Sequence, residues 1–357
     1  MKTTFNKEDS FLVKGIAICL MLFYHLFENE VMLKYLGEKG LEVIHKPFSQ
    51  NTFLTMSGFG NVCVAIFAFI SAYGISKKLN EKDGGTISLK EMYSYSVKRC
   101  GKLLLNFFVM YLSVICVFGY FLNFKDTYGS GWQGLWLAIL DACSISQFIE
   151  TPTIDPTWWY MKLAILIIFI TPLLYKAVKK FGNYLIPLGI VLLFSINWAE
   201  DVKRYLFVVI VGVVAANEDW FERLLQIKGR LLLKAVIGIA AIAGFVAFRQ
   251  NHMVQTYLLW FVDAVIALFI CWFGMEIVGR IPGISKGFSF LGKHSMNIYF
   301  VHSFFYMFLF QDYIYRFHYA FVTFLILLAI SLLYSVLLEY VKKGVALIIR
   351  KKRNMSV

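Results

Sequence analysis

The sequence predicts an all-α fold: a polytopic membrane helix bundle of about ten transmembrane helices, with both termini cytoplasmic. Three observations predict it. The 357 residues are 59% hydrophobic and 16% charged, where a soluble domain has about 45–50% and about 25%. Apolar residues gather into runs of roughly the 17–25 residues needed to cross ~30 Å of hydrocarbon. Basic residues crowd onto alternate connections between those runs, as the positive-inside rule requires. A mean hydropathy of +0.67 also excludes disorder, which needs low hydrophobicity and high charge.

The runs lie near residues 11–29, 59–76, 102–122, 157–175, 184–198, 203–217, 231–248, 257–278, 294–311 and 319–341. The run 203–217 is short and Pro187 interrupts 184–198, so the count is about ten. Trp132–Phe148 is amphipathic and carries Asp141, the pattern of a segment that lies at the interface or re-enters. The first run contains Lys14 and no small-residue cleavage site follows it, so it is expected to remain as a helix and not to be removed as a signal.

An even number of crossings puts both termini on one side. The connection 76–102 carries Lys77, Lys78, Lys82, Lys90, Lys98, Arg99 and Lys102 against Glu81, Asp83 and Glu91. The tail adds Lys342, Lys343, Arg350, Lys351, Lys352 and Arg353 without an acid, whereas 123–157 holds Lys125 among Asp126, Asp141, Glu150 and Asp155. Both ends are therefore expected in the cytoplasm of a multi-pass cell-membrane protein. The net charge of +13 reads as orientation in a lipid bilayer, with no nucleic-acid partner. Residues 1–357 form one transmembrane domain with no separate soluble domain, since no hydrophilic stretch exceeds about 35 residues. Six scattered cysteines without a C-x-x-C pair point to neither a disulfide framework nor zinc.

Ionisable groups inside spans are costly and mark function. Lys14 and His25 are eleven residues apart, so they share one helical stripe about 16 Å apart along the axis. One reading makes Lys14 a basic anchor and His25 a general base or acyl-handling imidazole; the other is a snorkelling lysine and a satisfied buried histidine. Lys98, Arg99 and Lys102 at the mouth of the third span form a phosphate clamp on one reading and topology-setting charges on the other. His302 and Asp263 are the remaining deep ionisable groups, candidates to orient His25 or move a proton, or polar inter-helix contacts. Trp159 and Tyr160, with Trp158, open the fourth span either as an aromatic belt or as a stacking platform for a sugar, and Lys162 lies one turn further in. His294 and His302 are eight apart, which is not the spacing of a helical metal site, and no metal is expected. Gly129–Gly134 matches G-x-G-x-x-G but no strand precedes it, so the match carries no nucleotide-binding meaning.

Taken in order, these residues resemble the membrane acyltransferase 3 family. Lys14 and His25 are similar to its Arg-x10-His signature. Val64–Gly74 resembles its second span, Arg99-Cys100-Gly101-Lys102 its Arg-x-x-Arg motif, Trp159-Tyr160-Met161 with Pro172 its Trp-Phe-Leu span, and Leu291–His302 its penultimate span. Lysine replaces arginine at 14 and 102, which keeps the charge and loses the planar fork, and Ala72 stands where the family has glycine.

The resemblance implies an integral membrane O-acyltransferase. The donor implied is acyl-CoA, commonly acetyl-CoA, bound through Lys14, Lys98, Arg99 and Lys102. The acceptor implied is a hydroxyl of a cell-surface or lipid-linked polysaccharide, a glycan met by Trp159, Tyr160 and Lys162, with His25, His302 and Asp263 in the chemistry. The rival expectation is a transporter or permease for a small polar molecule, since deep polar groups alone fit both.

Overall fold

The structure is a computed structural model that describes residues 4–28, 34, 37, 43–83, 87–196 and 200–355. Among these residues the architecture is all-helical; the one β-type pairing is the isolated bridge between Ile44 and Tyr319. Ten principal helices follow the apolar runs: α1 Lys7–Phe27, α2 Cys63–Lys82, α3 Leu89–Phe118, α4 Tyr160–Phe181, α5 Leu185–Ser195, α6 Glu200–Asn217, α7 Leu231–Arg249, α8 Leu259–Glu276, α9 Pro282–Ser303 and α10 Ala320–Met355.

Among the described residues, seven helical segments are long and apolar enough to cross a membrane: Lys7–Phe27, Gln50–Lys82, Leu89–Phe118, Pro156–Ser195, Leu231–Arg249, Val254–Arg280 and Ala320–Leu347. The run 157–175 and residues 184–195 of the run 184–198 fall within one of them. The helices on 203–217 and 294–311 are not among the seven, for a compositional reason: α6 opens on Glu200, Asp201, Lys203 and Arg204, and α9 carries Lys286, Lys293, His294 and His302. Residue 29 of the first run, residues 197–198 of the fifth, and the side chains of Arg350, Lys351, Lys352 and Arg353 lie outside the described residues.

Local chemistry sets the helix starts. Asn6 caps α1 by accepting from the backbone of Glu8 and Asp9, while Asp9 accepts from the Asn6 N–H at 3.0 Å, a reciprocal capping box. Ser88 and Glu91 do the same for α3. Pro172 sits inside α4, where Thr171 Oγ1 donates to the Ile167 carbonyl at 2.6 Å.

The centre of the bundle is built by close backbone approach. A Cβ on Gly15 of α1 would stand 1.9 Å from the Phe288 carbonyl oxygen, and one on Gly292 of α9 would stand 1.7 Å from that of Phe11. Glycine at these two positions lets α1 and α9 run parallel in direct contact, the device that packs helices in lipid, where apolar burial alone supplies no drive. On α6, a Cβ at Gly212 would lie 2.8 Å from the Phe69 carbonyl oxygen of α2, and Tyr205–Ala216 includes an almost unbroken buried run. The perimeter is apolar: Leu105 and Leu112 of α3, Leu232 and Val236 of α7, and Leu333 and Leu337 of α10 are exposed. That distribution suits a bundle solvated by acyl chains.

The amphipathic segment is helical over Gly131–Ala142 and Ser146–Ile149. Trp132, Leu135, Trp136 and Ile139 face outward, at the i, i+3, i+4, i+7 spacing of one helix face. Buried Asp141 ties it down: its carboxylate accepts from the Tyr128 and Ser146 hydroxyls, both at 2.6 Å, and from the Ile154 N–H at 3.0 Å.

Candidate active site

The α1–α9 contact creates the central feature of the molecule. His25 lies ten residues beyond Gly15, and His302 ten beyond Gly292. Two parallel helices in contact at their glycines rise equally, about 15 Å over ten residues, and so bring the imidazoles together. His25 Nδ1 stands 2.6 Å from His302 Nε2. The rings are nearly parallel, at 12°, and Tyr306 lies alongside both, within 20° of each ring plane. Beyond Ser303 the chain widens into a π-helical turn over Phe304–Leu309, a departure common at functional sites.

Hydrogen bonding assigns the protons. His302 Nδ1 lies 2.7 Å from the Tyr299 carbonyl oxygen, which only accepts, so Nδ1 carries the proton and Nε2 of the neutral ring carries a lone pair. His25 Nδ1 therefore donates to His302, and His25 Nε2 keeps its lone pair. In that state His25 is a base or nucleophile whose second nitrogen is already held.

The connection ahead of α4 supports His302 from behind. Trp158, fully buried, donates its Nε1–H to the Phe300 carbonyl at 3.0 Å. Tyr299 Oη donates to the Thr157 carbonyl, and Ser303 Oγ donates to the Asp155 carboxylate, which also accepts the Thr157 N–H at 2.9 Å. Asp155 precedes the Pro156–Ser195 segment, and its burial pushes its carboxyl up to about 7, against the lowering effect of the Ser303 and Thr157 hydrogen bonds. Tyr315 Oη donates to the Leu26 carbonyl at 2.8 Å, fixing the end of α1 beside His25.

Lys14 is half-buried on α1, its Nζ 5.9 Å from the Phe11 ring centroid, and it lies within electrostatic range of Arg99 on α3. Arg99 donates to Tyr95 Oη at 3.3 Å. Among the described residues neither cation has a carboxylate partner. Two half-buried cations within electrostatic range of each other, with no counter-charge among the described residues, favour an anion nearby. Lys98 and Lys102, by contrast, are exposed on α3; only Arg99 of that trio turns towards Lys14.

Tyr160 connects the two regions. It lies within electrostatic range of Arg99, hydrogen-bonds Ser71, and packs edge-on against Tyr299 at 6.0 Å. Trp159 is next to it and stacks on Tyr205 at 6.3 Å. Lys162 is half-buried one turn into α4.

Asp263 of α8 is completely buried between two arginines. Arg204 reaches its Oδ2 through Nη2 at 2.9 Å and Nε at 3.2 Å, and Arg249 reaches its Oδ1 through Nε at 2.8 Å. Arg204 Nη2 also donates to Asn61 Oδ1 at 2.8 Å, and Arg249 Nη1 to the Gly58 carbonyl at 3.3 Å. The cluster belongs to the His25 end of the bundle, because Gly60, beside Asn61, packs against the Leu20 carbonyl and the Tyr24 side chain. Next to it opens a cavity of about 560 Å³ lined by Asn61, Trp159, Arg204, Tyr205, Tyr257 and Trp260, among others.

The sequence reading did not single out Arg204, Arg249, Asn61 or Asp155. Arg204 was detectable, since it opens an apolar run in which an arginine is costly. Asp155 precedes its span, and Asn61, near the start of the run 59–76, is uncharged, so neither carries such a signal. Among the described residues no group of three or more His, Cys, Asp or Glu side chains is placed to hold a metal ion.

Comparison with known families matches residues 11–340 to the acyltransferase 3 family, described as an acyltransferase domain. No curated protein and no solved structure matches the chain. The matched region runs from the turn of α1 that precedes Lys14 to the middle of α10, and so contains both histidines, the Lys14–Arg99 pair and the cavity. The chain belongs to the acyltransferase 3 family of membrane acyl-transfer domains.

Proposed function

We propose that this protein moves an acyl group, in the first instance acetyl, from acyl-CoA to a hydroxyl of a cell-surface or lipid-linked polysaccharide. In this reading it lies in the cell membrane with ten crossings and both termini in the cytoplasm, the side on which its basic connections fall. One observation carries the proposal: the His25–His302 pair, in which Nδ1 of His25 is hydrogen-bonded and Nε2 has no partner among the described residues.

The donor is an anionic nucleotide thioester, and the Lys14–Arg99 pair suits its phosphates. Lys14 and His25 share a stripe of α1, about 16 Å apart along the axis, so an extended thioester arm spans the interval. His25 Nε2 takes the proton of the acceptor hydroxyl as its oxygen attacks the acyl carbonyl. The new C–O ester bond forms, the C–S bond breaks, and the proton on His25 passes to the departing thiolate. His302 accepts the Nδ1–H bond throughout and stabilises the imidazolium that forms, the part an orienting partner plays for a catalytic histidine. Trp159 and Tyr160 supply aromatic surface for the acceptor.

The test is NMR of surface glycan from cells carrying the wild-type protein or His25→Ala at equal membrane abundance. Loss of the acyl ester signal in the variant is expected; an unchanged signal removes His25 from the reaction. In purified protein, acetyl-CoA is expected to raise the thermal midpoint, and the gain is expected to shrink in Arg99→Ala.

A further inference from the structure

The cavity beside Arg204 has a composition that its position does not require. Its aromatic lining, Trp159, Tyr205, Tyr257 and Trp260, suits sugar faces. Among the described residues the charges on its wall have one sign: Lys203 and Arg204. A carboxylate would be the ordinary companion of cations at this depth, and the cluster contains one, Asp263, but it stands behind the wall and is shared between Arg204 and Arg249. One carboxylate thus answers two guanidinium groups before Lys203 is counted.

The orientation of Arg204 adds a second observation. Asp263 and Asn61 occupy its Nε and Nη2, which fixes the plane of the guanidinium and leaves Nη1 without a partner among the described residues. The side chain is 26% exposed, while Asp263 is completely buried. A guanidinium clamped from behind and open in front is a preorganised anion receptor. Lys203 is held beside it, its Nζ 5.6 Å from the Phe194 ring centroid. The floor of the cavity is formed in part by residues 255–257, in a π-helical turn over Val254–Leu258.

We propose that this cavity binds an anionic sugar: the acceptor bears a carboxylate or phosphate close to the hydroxyl that is acylated, and Arg204 and Lys203 hold that group. The inference rests on the acyl-transfer reading only in calling the ligand an acceptor. The anion at Arg204 and the sugar face on Trp159 orient the acceptor, and the ladder of rings from Trp159 through Tyr160 and Tyr299 leads to His302 at centroid separations of 6.3, 6.0 and 6.3 Å.

The experiment is direct binding, in detergent and without acyl donor, of three fluorescent trisaccharides that share one backbone: neutral, bearing one uronate, and bearing one phosphate. At least one charged probe is expected to bind about tenfold more tightly than the neutral one, the increment of one charge-assisted hydrogen bond, and the preference is expected to fall with added salt. Lys203→Gln is expected to reduce it severalfold, and Lys203→Arg to retain it. The stronger of the two charged probes identifies the anion as carboxylate or phosphate. Equal binding of all three, binding of none, or a preference untouched in Lys203→Gln overturns the proposal. Glycan acylation without charge preference removes this inference alone. Charge-selective binding without any acylation keeps the site and removes the enzymatic reading.

Discussion

His25 Nδ1 and His302 Nε2 meet at 2.6 Å, across 277 residues of sequence, and the Tyr299 carbonyl decides which of them donates. This gives the two histidines unequal tasks. His25→Ala is expected to lower the rate of acyl transfer by about 10²–10⁴-fold, the usual contribution of a general base. His302→Gln leaves His25 in place but frees its tautomer, so a smaller loss is expected, together with a shift of the pH–rate profile. Matched losses and unshifted profiles in the two variants would contradict the division of labour.

The glycines that bring the histidines together make a separate prediction. A methyl group at Gly15 or Gly292 meets backbone carbonyl oxygen at under 2 Å, and backbone cannot rotate away. Gly15→Ala and Gly292→Ala are therefore each expected to destabilise by about 1–3 kcal/mol or more, the range for overpacking, and to lower activity as α1 and α9 separate. Gly244→Ala on exposed α7, where nothing lies within 4 Å, is the control and is expected to be neutral or slightly stabilising. Thermal midpoints of the three purified variants test this.

How far the sequence reaches can be judged from the same residues. Hydropathy placed a helix on each apolar run, because helix in lipid follows from satisfying the backbone. The stripe shared by Lys14 and His25 was legible because it needs only the helical period. The partnership with His302 was not, since it depends on which helices touch and in what register. A trace of it does exist in the chain: a glycine ten residues before a histidine in two separate spans. Arg99 turning inward while Lys98 and Lys102 face out is a matter of helix rotation that charge alone does not set. Of the two arginines around Asp263, Arg204 was detectable and Arg249 was hidden for another reason: it ends a helix, where a cation usually reads as a topology signal.

Asp263 supplies a third prediction. Its carboxylate is the counter-ion of Arg204 and Arg249, and removing one partner of a buried ionic cluster leaves charge uncompensated, at a cost of about 3–5 kcal/mol. Asp263→Asn is thus expected to lower thermal stability strongly, whereas Asp263→Glu is expected to recover part of it. Were Asp263 to act on the proton of His25 instead, Asp263→Asn would lose activity at unchanged thermal stability.

Asp155 carries the pH dependence. Burial raises its folded-state value from 3.8 to about 7, so the folded protein holds this proton more tightly than the unfolded chain does. Stability from that difference is fully present below the unfolded value and is lost as pH rises through the folded one. Asp155→Asn removes the titration while keeping a hydrogen-bonding group against Ser303 and Thr157. The difference in thermal midpoint between wild type and Asp155→Asn is therefore expected to change between about pH 4 and pH 7, to the disadvantage of the wild type, and to be flat above that window. Because every other titrating group is common to both proteins, the difference isolates Asp155. Parallel curves through pH 4–7 would mean that the hydrogen bonds from Ser303 and Thr157 hold the carboxylate ionised despite its burial, and the connection before α4 would then grip α9 through a full charge across that range.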